Sequence, residues 1–291
     1  MNQARQLDEA VSFFDLKSGK QSALNITSLD VIGLIRAVRN HGNVVIQGAS
    51  VNRERFEQVT ESFTKSFVQE PARRKNTETG ESAVDNWGED TKINLHSESS
   101  FSPSWPNIIS FFSEAEDPVP TDFADATTIW NSLHPATKNF FCTTPVTYKC
   151  ALDLSGWNRK LPSGRRQLPS SAPGVYDIVL DGEKKVMLAK VCRHTICELP
   201  DGQYAFSNHL FHFPSEPQIL SMTTTDGDEY PIDKHQEEVN QLYREVSRPF
   251  YWKQNTIMIV DNRKLIHGRL STMPIASKTR LLVRSTLRLK V

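Results

Sequence analysis

Three residues in this sequence have the types and the spacing to hold one iron ion: His96, Glu98 and His267. Residues two apart in an extended strand project from the same face, so His96 and Glu98 can face one ion while Ser97 points away. His267 would then come from a second strand. Two imidazoles and one carboxylate leave open positions on an octahedral ion, as in non-haem Fe(II) sites that activate O2. The pattern predicts an oxygenase with these three side chains as metal ligands and catalytic centre.

Arg280, whose guanidinium could bind an acidic co-substrate, stands thirteen residues after His267. The stretch from Thr279 to Leu287 alternates as a strand does, which places Arg280, Leu282 and Arg284 on one face. A guanidinium binds a carboxylate through two parallel hydrogen bonds, which an ammonium does not reproduce. We therefore predict that Arg280 binds the distal carboxylate of 2-oxoglutarate. The simpler alternative is a solvated basic strand.

Four separated blocks carry a resemblance to a known family. They are Asn40–Gly48, then Asn94–Phe101 with the apolar run Ile108–Phe112, then Thr121–Leu133, and finally Asp261–His267 with Arg280 and Arg284. In this order they resemble the taurine dioxygenase and clavaminate synthase-like family of Fe(II)/2-oxoglutarate-dependent oxygenases. The resemblance implies a β-rich α+β fold whose core is a double-stranded β-helix (jelly roll) with flanking helices, as one domain over residues 1–291. It also implies Fe(II), 2-oxoglutarate and O2 as cofactor and co-substrates.

The resemblance also suggests further binding residues. Thr121 falls where a threonine that contacts 2-oxoglutarate usually sits, although the usual Gly-Gly pair before it is replaced by residues 118–120, Pro-Val-Pro. Arg284 is expected to anchor the C1 carboxylate of 2-oxoglutarate or an acidic group of the substrate. Candidate substrate contacts are Asn86, Trp87, Asn94 and Asn208.

The middle ligand position favours one class of substrate. Most members of the family have aspartate there, whereas Glu98 resembles the clavaminate synthase branch and several amino-acid hydroxylases. We therefore expect hydroxylation, desaturation or cyclisation at an unactivated C–H bond of an amino acid or natural-product intermediate, with release of succinate and CO2. Related halogenases carry a small residue here, so Glu98 argues against halogenation. A small-acid, sulfonate-type catabolic dioxygenase and a non-catalytic metal-binding jelly-roll sensor remain as alternatives, of which the sensor has no use for Arg280 and Thr121.

Two other histidines offer a competing metal site. His209 and His212 lie in an aromatic-rich segment from Tyr204 to Phe213, and with a carboxylate they would form a second triad. We prefer the triad of His96, Glu98 and His267 because the sequence around those residues fits the family. His209 and His212 are then expected to be pocket or core residues.

Composition limits the possible partners. The 291 residues are 38% hydrophobic, enough for one large domain, and Lys plus Arg equal Asp plus Glu at 34 each. Such a balance gives no global basic field, so we expect a small-molecule substrate and no nucleic acid or membrane. No apolar stretch reaches the roughly twenty residues of a membrane span, and the N-terminal residues contain no apolar signal core, which predicts a cytoplasmic protein. The four cysteines are expected to be reduced.

Local patterns predict several elements around the site. Helices are expected over residues 28–40, closed by Gly42, over 52–67, and as an insert at about 233–248. Hairpin turns are expected at 181–183 and 200–202. The segment at about 155–170 contains four basic residues, Arg159, Lys160, Arg165 and Arg166. It is either a solvated loop or a lid for an anionic substrate, which would be free or tethered to a carrier protein through its phosphopantetheine arm.

Overall fold

Antiparallel sheets with helices on their outer faces form the structure, a computed structural model. It describes residues 9–24, 30–68, 82–84, 92–102, 105–153, 175–181, 186–212, 219–270 and 281–290. These residues form a β-rich α+β fold, as the sequence predicts. The helices of the described residues are α1 (Val31–His41), α2 (Arg53–Phe63), α3 (Ala126–Ser132), α4 (Pro135–Thr143) and α5 (Asp233–Val246).

Three main sheets are present in the described part of the chain. The large sheet has the order β2 (Lys20–Ala23), β1 (Glu9–Asp15), β3 (Asn43–Gly48), β16 (Thr256–Asp261), β7 (Ile108–Ser113), β18 (Leu281–Leu289) and β4 (Thr64–Phe67), with β5 (Ser82–Val84) also paired to β18. The small sheet has the order β15 (Arg248–Trp252), β8 (Asp117–Asp125), β17 (Leu265–Arg269) and β6 (Ile93–His96). The third sheet has the order β10 (Val175–Asp181), β11 (Val186–Arg193), β9 (Val146–Asp153) and β14 (Ile219–Thr223). A short hairpin joins β12 (Cys197–Glu198) to β13 (Tyr204–Ala205).

Apolar side chains divide these elements into layers. The large and small sheets share one buried cluster, which includes Phe111 from β7 and Phe123 from β8. A second cluster, with Phe56 and Phe112, lies between the large sheet and helices α1 and α2. A third, with Ile266 of β17, joins the opposite face of the small sheet to α3, α5 and the third sheet. Alternation along each strand is what sends successive side chains into different layers.

Helix α1 follows its sequence signals. Asp30 caps its N-terminus by accepting a hydrogen bond from the Gly33 N–H. Its buried side chains, Leu34, Ile35, Ala37 and Val38, recur at helical spacing. Gly42 ends the helix at φ 81°, where a side chain would be strained and a Cβ would lie 2.9 Å from Leu265. The predicted closure at Gly42 is confirmed.

Helix α2 is shorter than the sequence predicts. It ends at Phe63, and residues 64–67 form β4 against β18 instead of a last helical turn. The Thr64 hydroxyl also hydrogen-bonds the Thr286 hydroxyl at 2.8 Å. Pairing with a distant strand therefore outweighs the helical spacing of Phe67, because strand contacts satisfy backbone groups that the helix end leaves unpaired.

Other predicted elements are present. Helix α5 occupies Asp233–Val246 within the predicted insert, with Val239 and Tyr243 buried. Strands β10 and β11 pair as the hairpin predicted at 181–183, although turn residues 182–185 lie outside the described ranges. The turn at 200–202 connects β12 and β13, with Gly202 at φ 79°. Residues 155–170, the predicted lid, lie outside the described ranges. None of the helices in the described residues combines the length and apolarity that a membrane crossing requires.

Candidate metal centre

Strand register brings the two candidate histidine ligands together. His267 on β17 lies directly opposite His96 on β6 and opposite Phe123 on β8. Residues opposite each other in a sheet project from the same face, so all three side chains point to one side of the small sheet. Phe123 belongs to the cluster between the large and small sheets, which places the site on that inner face.

Glu98 completes a buried group of three ligand-type side chains. Its Oε2 lies 3.8 Å from Nε2 of His96 and 3.6 Å from Nε2 of His267. The ligand atoms of the three residues all lie within 4.8 Å of one another. A metal about 2 Å from each donor would fit both carboxylate–imidazole distances. Exposed fractions of only 6%, 6% and 7% for His96, Glu98 and His267 give the group little access to bulk water.

A backbone carbonyl fixes the orientation of His96. Its Nδ1 lies 2.9 Å from the Asn94 carbonyl oxygen. A carbonyl only accepts, so Nδ1 donates in this contact and Nε2 is the ring nitrogen on the side of Glu98 and His267. Such second contacts orient metal-binding imidazoles.

The ligand loop, residues 97–102 and 105–107, holds Glu98 just beyond the end of β6. Ser99 has φ 53°, a left-handed conformation unusual for a residue with a side chain, and its hydroxyl donates to Glu98 Oε1 at 3.3 Å. This bond is made to Oε1, whereas the distances from Glu98 to His96 and His267 are those of Oε2. Asn262, in the turn between β16 and β17, accepts a hydrogen bond from the Glu98 N–H at 2.9 Å.

Aromatic rings surround the imidazoles. The ring centroids of Phe111 and Phe123 lie 5.5 and 6.2 Å from that of His267. His209 packs edge-on against His96 with the centroids 4.7 Å apart, and Phe101 packs against His209. An apolar surround of this kind strengthens electrostatic interactions inside the site.

A stack of one indole and two guanidiniums supports the ligand loop. The Cζ atoms of Arg193 and Arg263 each lie 5.3 Å from the Trp105 ring centroid. Trp105 Nε1 donates to the Ser97 hydroxyl at 2.8 Å, and Arg193 Nη2 donates to the Ser102 carbonyl at 3.0 Å. Burial lowers the pKa of Arg193 to about 10, which still leaves it charged at neutral pH. The stack joins the ligand loop to β11 and to the β16–β17 turn.

Thr121 lies on the same inner face as the histidines. It is two residues from Phe123 on β8, and its hydroxyl accepts a hydrogen bond from Trp252 Nε1 at 2.8 Å. Since an indole N–H is only a donor, the hydroxyl keeps its own proton for another acceptor. The predicted contact with 2-oxoglutarate stays a prediction.

Arg284 has a different position from the predicted one. Its guanidinium is fully buried and Nη1 donates to the Thr60 hydroxyl of α2 at 2.8 Å. Leu282, on the same face of β18, packs in the cluster beneath α1 and α2, whereas Leu281 and Val283 face the cluster between the sheets. The prediction that Arg284 binds 2-oxoglutarate or substrate is wrong for this structure, because the strand turns that face towards α2.

The remaining predicted contacts divide into two groups. Arg280, Asn86 and Trp87 lie outside the described residues. Asn208 donates from its amide to Thr195 O at 3.3 Å and accepts from Leu210 N at 3.1 Å, and its contact with substrate stays a prediction. Asn94 donates to the Phe211 carbonyl at 2.6 Å, and its contact with substrate stays a prediction.

Sequence patterns alone miss the residues that support the triad. Asn262 and Arg263 stand in the Asp261–His267 block, yet nothing local indicates that they reach the ligand loop. Of the competing triad, His209 packs against His96, whereas the side chain of His212 lies outside the described part of the structure. Among the described side chains, the group of ligand-type atoms consists of His96, Glu98 and His267. The prediction of His209 as a pocket or core residue agrees with its exposed fraction of 2%.

Comparisons with known proteins indicate one family. The model of the family described as taurine catabolism dioxygenase TauD, TfdA family matches residues 18–286. A search of curated proteins gives no match. A taurine dioxygenase from Burkholderia xenovorans is 13% identical, with a TM-score of 0.57, over 93% of this chain and 85% of its own.

Two further solved structures are similar. AAD-2 in complex with Mn(II) and N-oxalylglycine is 14% identical, with a TM-score of 0.57, over 93% of this chain and 94% of its own. PvcB from Pseudomonas aeruginosa is 14% identical, with a TM-score of 0.56, over 99% of this chain and 95% of its own. At such identities the likeness shows the fold.

Proposed function

Since the chain belongs to the TauD, TfdA family of dioxygenases, we propose that it oxidises an unactivated C–H bond of an amino acid or natural-product intermediate. It is an Fe(II)- and 2-oxoglutarate-dependent dioxygenase that uses O2. The observation that carries the proposed site is the convergence of the His96, Glu98 and His267 ligand atoms within 4.8 Å of one another.

These three side chains are the ones that would hold the iron. When bound with 2-oxoglutarate, Fe(II) supplies the O2 chemistry that oxidises the C–H bond and releases succinate and CO2. The Asn94 carbonyl would hold the Nδ1 proton of His96, so that Nε2 remains a ligand atom. Phe111 and Phe123 would keep water from the His267 side of the site.

Two residues are proposed to hold 2-oxoglutarate. Thr121 would donate its hydroxyl proton to a carboxylate of the co-substrate, since the Trp252 indole occupies its acceptor side. Arg280, which lies outside the described residues, would pair with the distal C5 carboxylate; β18 begins at Leu281, so the alternation that turns Leu282 and Arg284 towards α2 is not extended to Arg280. The argument for Arg280 is its place thirteen residues after His267 and the two-pronged geometry of a guanidinium.

The substrate assignment depends on Glu98. A glutamate in the middle ligand position is similar to the clavaminate synthase branch and to amino-acid hydroxylases, and this likeness favours an amino acid or a related intermediate. Hydroxylation is the proposed outcome; desaturation and cyclisation differ from it only in substrate placement. A second candidate is oxidation of a small sulfonate-type acid, which the likeness to a taurine dioxygenase favours.

We further propose one dioxygenase domain over residues 1–291 with a double-stranded β-helix core. The match over residues 18–286 and the face-to-face packing of the large and small sheets support it. The basic segment at 155–170, outside the described residues, would be the lid over an anionic substrate, either free or bound to a carrier protein.

Anaerobic addition of Fe(II) and then 2-oxoglutarate tests the site. A weak visible charge-transfer absorption is expected from the unaltered protein and not from His96→Ala. Absorption of equal strength in both proteins would refute His96 as a ligand. A screen of free amino acids and small sulfonates, read as succinate release above the uncoupled rate, then separates the two substrate classes. Coupled turnover of sulfonates alone would favour the second candidate.

A further inference from the structure

Building on the proposed iron site, we propose that Asn262 is a positioning residue that sets the place of Glu98 relative to His267. Glu98 lies two residues beyond the end of β6, where strand pairing no longer holds the backbone. The next residue, Ser99, has a left-handed φ of 53°. Without another restraint, the carboxylate would be carried on an irregular loop.

The Asn262 side chain supplies that restraint. It is fully buried, with an exposed fraction of 0%. Its Oδ1 accepts from the Glu98 N–H at 2.9 Å, while its Nδ2 donates to the Glu98 carbonyl at 3.1 Å and to the Pro106 carbonyl at 2.9 Å. The amide thus binds both polar groups of the Glu98 backbone, as a neighbouring strand would, and also fixes the far end of the ligand loop.

The backbone of Asn262 adds three contacts to the same region. Its carbonyl accepts from the Ser97 hydroxyl at 2.6 Å and from the Ser207 hydroxyl at 3.2 Å. Its N–H donates to the Asn107 carbonyl at 3.0 Å. Asn262 therefore contacts residues on each side of Glu98, and any shift of the β16–β17 turn must move the ligand loop with it.

The same turn leads directly into the strand that carries His267. Asn262 stands five residues before His267 in the sequence, and β17 begins at Leu265. Glu98 and His267 are therefore positioned from one rigid turn, although 169 positions separate them in the sequence. This common support ties the Glu98 backbone to the strand that carries His267, whose Nε2 lies 3.6 Å from Glu98 Oε2.

Only an amide of this length meets all three requirements. Aspartate keeps the acceptor for the Glu98 N–H but replaces Nδ2 with an oxygen facing two carbonyls, those of Glu98 and Pro106. Alanine removes both functions and leaves the buried backbone groups of Glu98 and the Pro106 carbonyl without the Asn262 side chain as a partner. Either change should let Glu98 move away from its position.

Asn43 provides a matched control. It is equally buried at 0%, and its side chain binds one backbone residue in the same two-sided way, accepting from Phe14 N at 2.7 Å and donating to Phe14 O at 3.0 Å. It stands on β3 of the large sheet, pairing β1, and belongs to no part of the ligand loop. Substituting it should cost stability without changing the metal site.

The test compares Mn(II) affinity, measured by electron paramagnetic resonance on the metal-free full chain, for the unaltered protein and for Asn262→Ala, Asn262→Asp and Asn43→Ala. We expect both Asn262 variants to bind Mn(II) about 10- to 100-fold more weakly, the range typical of residues that support ligands. Asn43→Ala should bind as the unaltered protein does. Unchanged affinity in Asn262→Asp, or an equal loss in Asn43→Ala, would overturn the positioning role.

A measurement on the unaltered protein does not depend on the variants folding. The Glu98 amide proton should exchange slowly with deuterium even in metal-free protein, since Asn262 holds it without help from a metal. Exchange at the rate of an unprotected amide would overturn the proposal. Failure of the unaltered protein to bind Mn(II) would overturn the proposed function and this role together, whereas equal binding by unaltered and Asn262→Asp protein would overturn the positioning role alone.

Discussion

At the level of single residues, the site depends on which atoms of three buried side chains face each other. The Asn94 carbonyl binds Nδ1 of His96, which leaves Nε2 facing the site. The Ser99 hydroxyl binds Oε1 of Glu98, which leaves Oε2 as the oxygen near the histidines. Neither His96 nor His267 has to change rotamer to meet Glu98, because strand register already places both on the inner face. Such preparation lowers the cost of binding a metal.

Replacing His267 should remove the metal and leave the fold. In His267→Ala we expect Fe(II) binding and turnover to be lost, since two remaining ligands hold iron poorly, while the far-ultraviolet circular dichroism stays the same. Metal content after desalting and succinate release measure the effect. His235→Ala is the control, because His235 packs on Phe140 near α4 and away from the triad. Unchanged iron content in His267→Ala would refute the ligand assignment.

Replacing Arg280 should act on the co-substrate. Arg280→Ala is expected to raise the KM for 2-oxoglutarate by removing a charge-assisted pair worth on the order of 2–4 kcal/mol. Steady-state rates at varied 2-oxoglutarate measure it. Arg288→Ala, an exposed arginine on β18, is the control. If only the KM for the primary substrate changed, Arg280 would be assigned to substrate binding instead.

At the level of elements, the pairing of β17 with β6 decides whether the histidines meet. Gly268 allows this approach: a Cβ there would lie 2.5 Å from the Ile93 carbonyl oxygen and 2.9 Å from that of Asn94. Both neighbours are backbone, so neither can rotate away. The strand needs glycine here because of space, not because of its φ.

A methyl group at Gly268 should therefore separate the two strands. Gly268→Ala is expected to lower the free energy of unfolding by about 1–3 kcal/mol, as overpacking does, and to weaken Mn(II) binding by at least about tenfold. Urea unfolding and metal titration measure the two effects. Gly33→Ala in α1 is the control, since its Cβ would meet only the Asp30 side chain at 3.2 Å. Full metal affinity in Gly268→Ala would show that the close pairing is not needed.

The second element-level feature is the attachment of β18 to α2 through Arg284. The guanidinium lies 5.6 Å from the Phe56 ring centroid, and Nη1 lies 3.5 Å from Glu61 Oε1. Removing the Thr60 hydroxyl withdraws an acceptor from a buried charge. Thr60→Val should lower the free energy of unfolding by about 1–3 kcal/mol and leave the 2-oxoglutarate KM unchanged.

Thr143→Val supplies the comparison for that variant. Thr143 donates to a carbonyl four residues earlier, Asn139 O at 2.9 Å, as Thr60 donates to Phe56 O at 2.8 Å. Unlike Thr60, Thr143 is exposed and accepts no hydrogen bond from any arginine of the described ranges. Its substitution should cost less stability. If urea unfolding shows equal losses of stability in Thr60→Val and Thr143→Val, the bond to Arg284 does not explain the loss. A raised KM for 2-oxoglutarate in Thr60→Val would indicate that Arg284 acts on the co-substrate.

At the level of the whole molecule, layered packing buries charged groups whose ionisation then depends on folding. Burial raises the pKa of the Asp261 carboxyl above its usual value, against the opposing backbone hydrogen bonds from Arg263 and Lys264. The folded state therefore holds this proton more tightly than the unfolded chain. Its stabilising effect is full below the unfolded pKa of about 4 and is lost as pH rises through the folded-state pKa.

Asp261→Asn should remove that dependence while keeping an oxygen for the two backbone N–H groups. Relative to the unaltered protein, the variant is expected to become more stable as pH rises from about 4 to 7, measured by urea unfolding of metal-free protein. Asp201→Asn is the control, since exposed Asp201 also accepts a backbone N–H, from Gln203 at 3.1 Å. Parallel stability curves for Asp261→Asn and the unaltered protein would contradict the expectation.

The sequence by itself determined the features that depend on local spacing. The His-x-Glu spacing identifies two ligand-type residues without reference to what they pack against, and Gly42 marks the end of α1. The order of family-like blocks likewise indicated an Fe(II)/2-oxoglutarate dioxygenase. These properties need no knowledge of distant neighbours.

Only the tertiary structure decided which face of a strand turns inward and which distant groups meet. Alternation correctly grouped Leu282 with Arg284, but both faces of β18 are buried, so the pattern did not reveal that theirs meets α2. The contact of Asn262 with Glu98 spans 164 positions and follows from the pairing of whole strands. Local sequence carries the period of an element, whereas its rotation and neighbours come from packing among all of the layers.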